Sequence, residues 1–242
     1  MGQIPTSYLR RIELDGVRNL RDVGGYPTHD GRRTRWRTVF RADSPHRLTP
    51  EGRRALAHLG VRSFIDLRRP SEVALAAYAF DSDGLTSWAV PLFDDEPPAG
   101  PRSLAAIYGE ILTQRGERLA AVFRALLTGR PAVVHCTAGK DRTGVVVALL
   151  LAVVGVPDDV IAADYALTSA SQTSDYWREA RQRADRAGIA WEDYQSLLVC
   201  PPELMLATLA SLREQHGDVR SYLRRTGLSH DEIDELRQML VE

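Results

Sequence analysis

A short apolar strand that leads through a glycine-rich turn into an apolar helix is the feature that most constrains the fold of this chain. The strand pattern covers Ala132–His135, and residues 145–154 are apolar without interruption. Such a unit buries its strand on both faces, as in layered α/β domains. Strand patterns at 61–67 and 86–92 alternate with helical ones, so the sequence predicts an α/β fold with a central, mainly parallel sheet flanked by helices.

Helical patterns account for most of the remaining chain. They cover 53–59, Leu104–Gln114, 117–127, 158–167, Ser174–Ala187, 202–215 and 229–240. The last one opens with Ser229 and Glu232 in the spacing of a capping box. Because no stretch with the composition of a linker interrupts the chain, we expect one domain over residues 1–242. Residues 1–156 would hold the sheet and the turn, and 157–242 a helical region packed on them.

Charge and cysteine content exclude several classes of protein. The formal net charge is −1, so the overall charge gives no reason to expect nucleic-acid binding. The arginines in 32–37 are spaced as on the outer face of a solvated edge strand, which we predict there. The two cysteines, Cys136 and Cys200, are too few for a disulfide scaffold. Both are expected to be free thiols in a reducing compartment.

The chain shows no pattern for a membrane span or for conventional secretion. Its longest apolar run, 145–154, is about half of the roughly 20 residues that span a bilayer, so we expect a buried core helix and no stable membrane insertion. Residues 1–11 lack the apolar core of a conventional signal peptide. We therefore expect a cytoplasmic protein, and export without such a signal stays open.

The turn carries a pattern that suits a phosphate group. Five residues separate Cys136 from Arg142, and a loop of this length can point successive backbone N–H groups at one centre. Gly139 permits the tight curl, and the following helix adds the positive end of its dipole at the same point. A cysteine beside cations at a helix N-terminus is acidified, so we expect Cys136 to be a thiolate nucleophile at neutral pH.

Side chains next to the nucleophile complete the predicted site. The planar guanidinium of Arg142 can hold two phosphoryl oxygens, and the hydroxyl of Thr143 can donate to the thiolate when it leaves. We expect His135 to orient the loop through hydrogen bonds. The predicted substrate-binding residues are Thr137, Ala138, Gly139, Lys140 and Thr143.

The string from His135 to Gly144, His-Cys-x5-Arg-Thr-Gly, resembles the signature of the protein tyrosine phosphatase superfamily. In full it is similar to the atypical bacterial tyrosine phosphatases of the mycobacterial protein tyrosine phosphatase B type. The segments 19–25, 39–44, 65–68 and 222–228 also resemble that family. The resemblance implies a cysteine-dependent phosphomonoesterase that forms a phosphocysteine, releases inorganic phosphate, needs no metal or other cofactor, and has helices partly covering its site.

Cleavage of a phosphate ester needs an acid that protonates the leaving oxygen, and the sequence offers candidates in two regions. Asp94 opens an acidic, proline-rich loop in a position similar to the acid-bearing loop of related enzymes, and it is the first choice, with Asp95 beside it. Asp141 lies in the phosphate loop and could reach the leaving oxygen directly. The choice between the two regions stays open. Asp66 is expected to form a structural ion pair with Arg68.

Lys140 bears on the choice of substrate. In related enzymes a lysine in this loop accompanies activity on phosphoinositides. The expected substrate is therefore a phosphotyrosine protein, with a phosphoinositide, or dual tyrosine, serine and lipid specificity, as the alternative. Lys140 could equally serve only to raise the local positive potential. Four aromatic residues after the loop would belong to a lid in the resembling family or, alternatively, would be ordinary core or interface residues: Tyr165, Tyr176, Trp177 and Trp191.

Overall fold

The computed structural model describes residues 10–78, 80, 84–95 and 103–242. Within them, a five-stranded sheet has the order β1–β2–β5–β3–β4. The strands are β1 Arg21–Asp22, β2 Val39–Ala42, β3 Ser63–Asp66, β4 Thr86–Ala89 and β5 Ala132–His135. Strand β1 pairs antiparallel with β2, and the other neighbours pair in parallel. The predicted α/β fold with a mainly parallel sheet is confirmed.

Helices flank this sheet and fill the C-terminal part of the chain. They are α1 Pro50–His58, α2 Pro70–Leu75, α3 Leu104–Gln114, α4 Gly116–Gly129, α5 Asp141–Val153, α6 Asp158–Ala166, α7 Ser174–Ala187, α8 Trp191–Ser196, α9 Pro202–His216, α10 Val219–Arg225 and α11 His230–Leu240. Single 3₁₀ turns lie at Pro45–Arg47 and Leu167–Ser171.

Strand β5 lies in the middle of the sheet, between β2 and β3, and all its residues are buried. Its side chains alternate between two apolar clusters, as the period of a strand requires. Val134 faces the larger cluster, which includes α5, and Val133 faces a smaller one with Phe40 and Phe64. Helix α5 is buried on nearly every side, so the loop between β5 and α5 is held by two elements of the core.

The C-terminal helices pack on one another and on α5. Helix α6 packs closely on α9 and on α5, and α11 contacts α4 and α5. By contrast, α7 and α8 pack on each other more closely than on any other helix or strand. No helix in the described part of the chain combines the length and the apolar character needed to cross a bilayer.

Element bounds agree with the sequence predictions where a periodic apolar pattern was present, as in α3, α7 and β5. The edge strand expected at 32–37 is wrong. Arg33 and Thr34 form only isolated bridges, and Arg37 has a φ of 55°, which turns the chain before β2 begins. The short helices α8 and α10 were not predicted. Residues 96–101 of the expected acidic loop lie outside the described part of the chain.

Candidate active site

The strand–turn–helix unit places Cys136 at the carboxyl edge of the sheet. Strand β5 ends at His135 and α5 begins at Asp141, so residues 136–140 form the connecting loop. In parallel sheets this edge is where ligands bind, beside the positive end of the following helix. Cys136 and Cys200 are both free, as expected. Cys136 is only 2% exposed, so the predicted nucleophile is well shielded from bulk water.

Gly139 gives the loop its tight curl. Its φ is 65°, in the left-handed region that favours glycine. A Cβ at this position would lie 2.2 Å from the carbonyl oxygen of Ala42, at the end of β2. Nearby, the Ser44 N–H donates to the carbonyl of Thr137 at 3.1 Å. The loop therefore rests directly on the backbone that follows β2, and a larger residue at position 139 would displace it.

Two carbonyl groups of the loop are held on its outer side. Asn19 Nδ2 donates to the carbonyls of Ala138 and Gly139, at 3.1 and 3.3 Å. Arg41 Nη2 also donates to Gly139, at 2.8 Å. In a trans peptide the C=O and the N–H point in opposite directions. Holding these two carbonyls outward therefore turns the N–H groups of Gly139 and Lys140 toward the inside of the loop, as an anion-binding nest requires.

Asn19 and Arg41, which hold the loop carbonyls, belong to a buried network of ion pairs and hydrogen bonds around Asp164. The Asp164 carboxylate accepts hydrogen bonds from Arg21 Nε at 3.1 Å, Arg41 Nη1 at 2.5 Å and the Tyr26 hydroxyl at 2.7 Å. Arg21 in turn donates to Asn19 Oδ1 at 2.5 Å. Burial raises the pKa of Asp164, but the two guanidinium groups more than offset this and hold the pKa well below its usual range. Two cations on one carboxylate leave net positive charge beneath the loop.

Arg142 is held by a carboxylate from α2. Its Nη1 and Nη2 donate to Glu72 Oε2 and Oε1 at 2.5 and 2.7 Å, a two-pronged pair that fixes the plane of the guanidinium. The Thr137 hydroxyl also donates to Glu72. Burial alone would raise the pKa of Glu72, but the hydrogen bonds and charge of Arg142 lower it to about 2. Glu72 is therefore ionised, and it orients the predicted phosphate-binding arginine.

Asp141 lies in the loop region with two polar neighbours on the same carboxylate oxygen. The Tyr108 hydroxyl donates to Oδ1 at 2.7 Å, and Lys140 Nζ lies 3.1 Å from that oxygen. Tyr108 shares a further hydrogen bond of 2.8 Å with the Tyr165 hydroxyl. Burial, and then the charge of Asp141, raise the pKa of Tyr108 far above its usual value, so it remains a donor. The Asp141 side chain is 29% exposed.

Asp94 lies in a different environment. Its side chain is 61% exposed, and its carboxylate pairs with Arg118 at 2.5 Å and more distantly with Arg115 at 3.7 Å. The hydrogen bond from Arg118 lowers the pKa of Asp94. The neighbouring Asp95 accepts a hydrogen bond from the backbone N–H of Ser71 at 2.9 Å. Both candidate acids of this region are therefore bound to neighbouring protein groups. The hydrogen bond from Arg118 favours the charged form of Asp94.

The other predicted residues, His135, Thr143 and Asp66, are all buried. His135 is fully buried, burial lowers its pKa to about 4, and its Nε2 lies 2.6 Å from the Tyr78 hydroxyl. It is therefore neutral and suited to orienting the loop. The Thr143 hydroxyl is buried and has no hydrogen-bond partner among the described residues, so it is available to the thiolate. The expected ion pair between Asp66 and Arg68 is confirmed at 2.7 Å.

The four aromatic residues after the loop divide into two groups. Tyr165 is 1% exposed and belongs to the core beside Tyr108. Tyr176, Trp177 and Trp191 form a chain of edge-to-face contacts across α7 and α8, with centroid distances of 5.6 and 6.3 Å. Tyr165 is therefore a core residue. The other three aromatic residues hold α7 and α8 together as a unit.

Sequence reasoning did not assign a role to Asn19, Arg41, Glu72 or Asp164. Asn19 and Arg41 lie in segments that resemble the family, so a signal was present there without a mechanism. Nothing in the local sequence connects Glu72 with the loop. Asp164 lies in an ordinary helical pattern, and its importance comes from being buried between arginines that are distant in the chain.

Gly139→Ala tests the packing of the loop on β2. We expect loss of at least about 2 kcal/mol of unfolding free energy and of most inorganic phosphate binding, because the methyl group meets backbone. Gly188→Ala is the matched control, since Gly188 has a φ of 64° but no atom within 4 Å of the added Cβ. Urea denaturation and calorimetry would measure both, and equal losses in the two variants would contradict the packing argument.

Glu72→Gln tests the ion pair with Arg142 through the pH dependence of stability. The pKa of Glu72 is lowered to about 2 in the folded chain, so its stabilisation is present above its unfolded pKa of about 4.5 and is lost as the pH falls toward 2. We expect the wild type to lose roughly 2 to 3 kcal/mol more than Glu72→Gln over this window, from urea midpoints. Glu51→Gln, at an exposed glutamate, should follow the wild type. Parallel curves for wild type and Glu72→Gln would refute the assignment.

Two solved structures match this chain with low TM-scores and low sequence identity. TpbA of P. aeruginosa matches with a TM-score of 0.37 and 15% identity, covering 71% of this chain and 86% of that one. The Siw14 catalytic core matches with a TM-score of 0.42 and 16% identity, covering 74% of this chain and 96% of that one.

Sequence comparison gives closer relatives. A triple specificity protein phosphatase, PtpB, of Mycobacterium tuberculosis is 30% identical over 277 aligned positions, which cover 95% of this chain and 98% of that protein. A tyrosine-protein phosphatase of Nostoc commune is 32% identical and covers 80% of this chain and 71% of its own length. The model of the tyrosine phosphatase family matches residues 12–242. The chain therefore belongs to the tyrosine phosphatase family and is a phosphatase.

Proposed function

We propose that this chain hydrolyses phosphotyrosine in proteins through a phosphocysteine intermediate. The observation that carries the proposal is the loop 136–142 itself, in which Cys136 and Arg142 flank peptide groups whose carbonyls are held outward by Asn19 and Arg41. The N–H groups on the inside, the dipole of α5 and the guanidinium of Arg142 converge on a dianion. Nothing else in the described part of the chain offers a comparable anion site beside a nucleophile.

The proposed reaction has two displacement steps at phosphorus. The Cys136 sulfur attacks, a P–S bond forms, and the P–O bond to the tyrosine breaks with its electron pair leaving on the phenolic oxygen. An acid supplies the proton for that oxygen. Water then attacks the phosphocysteine, giving up a proton to the same residue, and inorganic phosphate and the thiolate are released. Thr143 stabilises the departing thiolate, and Arg142 holds the equatorial oxygens throughout.

We assign the acid role to Asp141 in preference to Asp94. The described contacts of Asp141, from Tyr108 and Lys140, both end on Oδ1, which leaves Oδ2 to carry the transferred proton. Asp94 is the more exposed of the two, at 61% against 29% for the Asp141 side chain, and its described ion pairs are with Arg118 and Arg115, which lie outside the loop. Asp141 also begins α5, directly after the phosphate loop, so its position is fixed relative to Cys136.

A phosphoinositide, or combined tyrosine, serine and lipid specificity, is the second candidate for the substrate. Its support is the M. tuberculosis relative, a triple specificity protein phosphatase. We favour phosphotyrosine because Lys140, which would contact a further phosphate, is 2% exposed and bonded to protein groups. A reducing, cytoplasmic setting suits the free thiol of Cys136.

Cys136→Ser tests the nucleophile. We expect the wild type to hydrolyse p-nitrophenyl phosphate in EDTA, and the variant to lose more than about a thousandfold in kcat/KM because serine is not ionised at neutral pH. Cys200→Ser, at the other buried thiol, should retain turnover. Undiminished activity of Cys136→Ser would refute the phosphocysteine mechanism, and release of inorganic phosphate should match release of nitrophenol.

Asp141→Asn and Asp94→Asn form a matched pair for the acid. Asp141→Asn should lower kcat about 10²- to 10⁴-fold and remove the alkaline limb of the pH–rate profile. The loss should be larger for phenyl phosphate than for p-nitrophenyl phosphate, because the poorer leaving group needs the proton more. Asp94→Asn should keep the wild-type profile. The reverse pattern would transfer the role to Asp94, and two unchanged profiles would exclude both.

A further inference from the structure

Lys140 has an environment unlike that of a residue waiting for substrate. It is the one lysine in the sequence, and it is 2% exposed. Its Nζ donates to the carbonyls of Leu197 and Val199, at 2.5 and 3.1 Å, and lies 3.1 Å from Asp141 Oδ1. An ammonium group has three donors. Two of them are used by carbonyls in the segment after α8, and the charge of the same group forms an ion pair with Asp141.

That segment belongs to a unit, formed with α7 and α8, which contacts the loop at Lys140. Helices α7 and α8 pack mainly on each other, and Gln172 Nε2 donates to the Leu198 carbonyl at 2.7 Å, which joins the two ends of the unit. On its other side, Glu179 of α7 pairs with Arg18 and Arg47, at 2.9 and 2.8 Å. Arg18 directly precedes Asn19, whose side chain donates to two carbonyls of the loop. The unit is thus attached to the rest of the chain at two places: at Lys140 of the loop, and at Arg18 and Arg47 through Glu179.

The ion pairs of Glu179 and the hydrogen bonds of Lys140 differ in strength. The Glu179 side chain is 26% exposed and its partner Arg47 is 53% exposed, so salt screens this pair. The Lys140 side chain is 2% exposed, and a hydrogen bond from a charged donor that is shielded from water is among the stronger ones. Leaving the ammonium group buried without those carbonyls would carry a large desolvation cost. Release of the segment 197–199 and exposure of Lys140 should therefore occur together.

We infer that Lys140 is a positioning residue that fastens the segment 197–199 over the phosphate loop and holds Asp141 through the same ammonium group. The lysine does not contact the transferred phosphate while this fastening is intact. A substrate with a single phosphate leaves the fastening in place. A second phosphate could reach Lys140 only by displacing the carbonyls of Leu197 and Val199. The fastening does not depend on the proposed function, whereas the effect on Asp141 rests on it.

Hydrogen exchange of the ligand-free chain tests the fastening directly. In Lys140→Met, the side-chain length is kept and the donors are removed, so amides in 191–200 should exchange at least tenfold faster than in the wild type. Lys140→Arg, which keeps charge and donors, should restore most of the protection. Arg220→Gln, which removes an exposed ion pair with Asp234, is the control for a general loss of stability and should leave 191–200 unchanged.

Kinetics of the same variants report on Asp141. Lys140→Met should lower kcat more for phenyl phosphate than for p-nitrophenyl phosphate, with KM changed less than twofold for either. Unchanged exchange in 191–200, together with a raised KM, would overturn the inference and make Lys140 a substrate ligand. Should Lys140→Met fail to fold, exchange in Lys140→Arg and Lys140→Gln decides the point. Failure of the proposed function would appear separately, as a wild type without phosphatase turnover but with the same exchange pattern.

Discussion

The buried carboxylate of Asp164 organises the phosphate site from beneath. It binds Arg21 and Arg41, and each arginine leads to the loop, Arg41 directly at Gly139 and Arg21 through Asn19. A buried ion pair stabilises a fold little by comparison with apolar packing. Removing one partner is nevertheless costly, because the other charge is then buried and unpaired. Their consequence here is geometric, because they hold two carbonyls outward and so turn the adjoining N–H groups inward. The residual positive charge favours a bound dianion.

The residues of the proposed active site are each in contact with a different part of the fold. Glu72 of α2 orients Arg142, Tyr108 of α3 orients Asp141, and Lys140 joins the loop to the segment after α8. Preorganisation of this kind reduces the rearrangement needed as charge develops in the transition state. In the proposed mechanism the reacting groups come from the loop and the start of α5, and the surrounding helices align them.

The bounds of several helices and strands could be predicted from local sequence alone. The apolar periodicity of β5, α3 and α7 depends only on the chain itself, and the predicted bounds agree. The short helices α8 and α10 were missed since fewer than two turns give little periodic signal. The edge strand at 32–37 was wrong, because alternation of charge does not reveal the turn at Arg37. Among acids, the placement of Asp94 at the start of an acidic loop favoured it, whereas its pairing with Arg118 could be seen only in three dimensions.

The sequence by itself determined the reactive loop. The spacing of Cys136 and Arg142, the glycine at 139 and the apolar strand and helix on either side are local properties, and their chemistry follows from them. Only the tertiary structure decided which residues hold that loop, since Asn19, Glu72 and Asp164 reach it across the fold. It also decided the position of Lys140, because an ammonium group turns toward whichever acceptors packing brings near, and here these are the carbonyls of Leu197 and Val199.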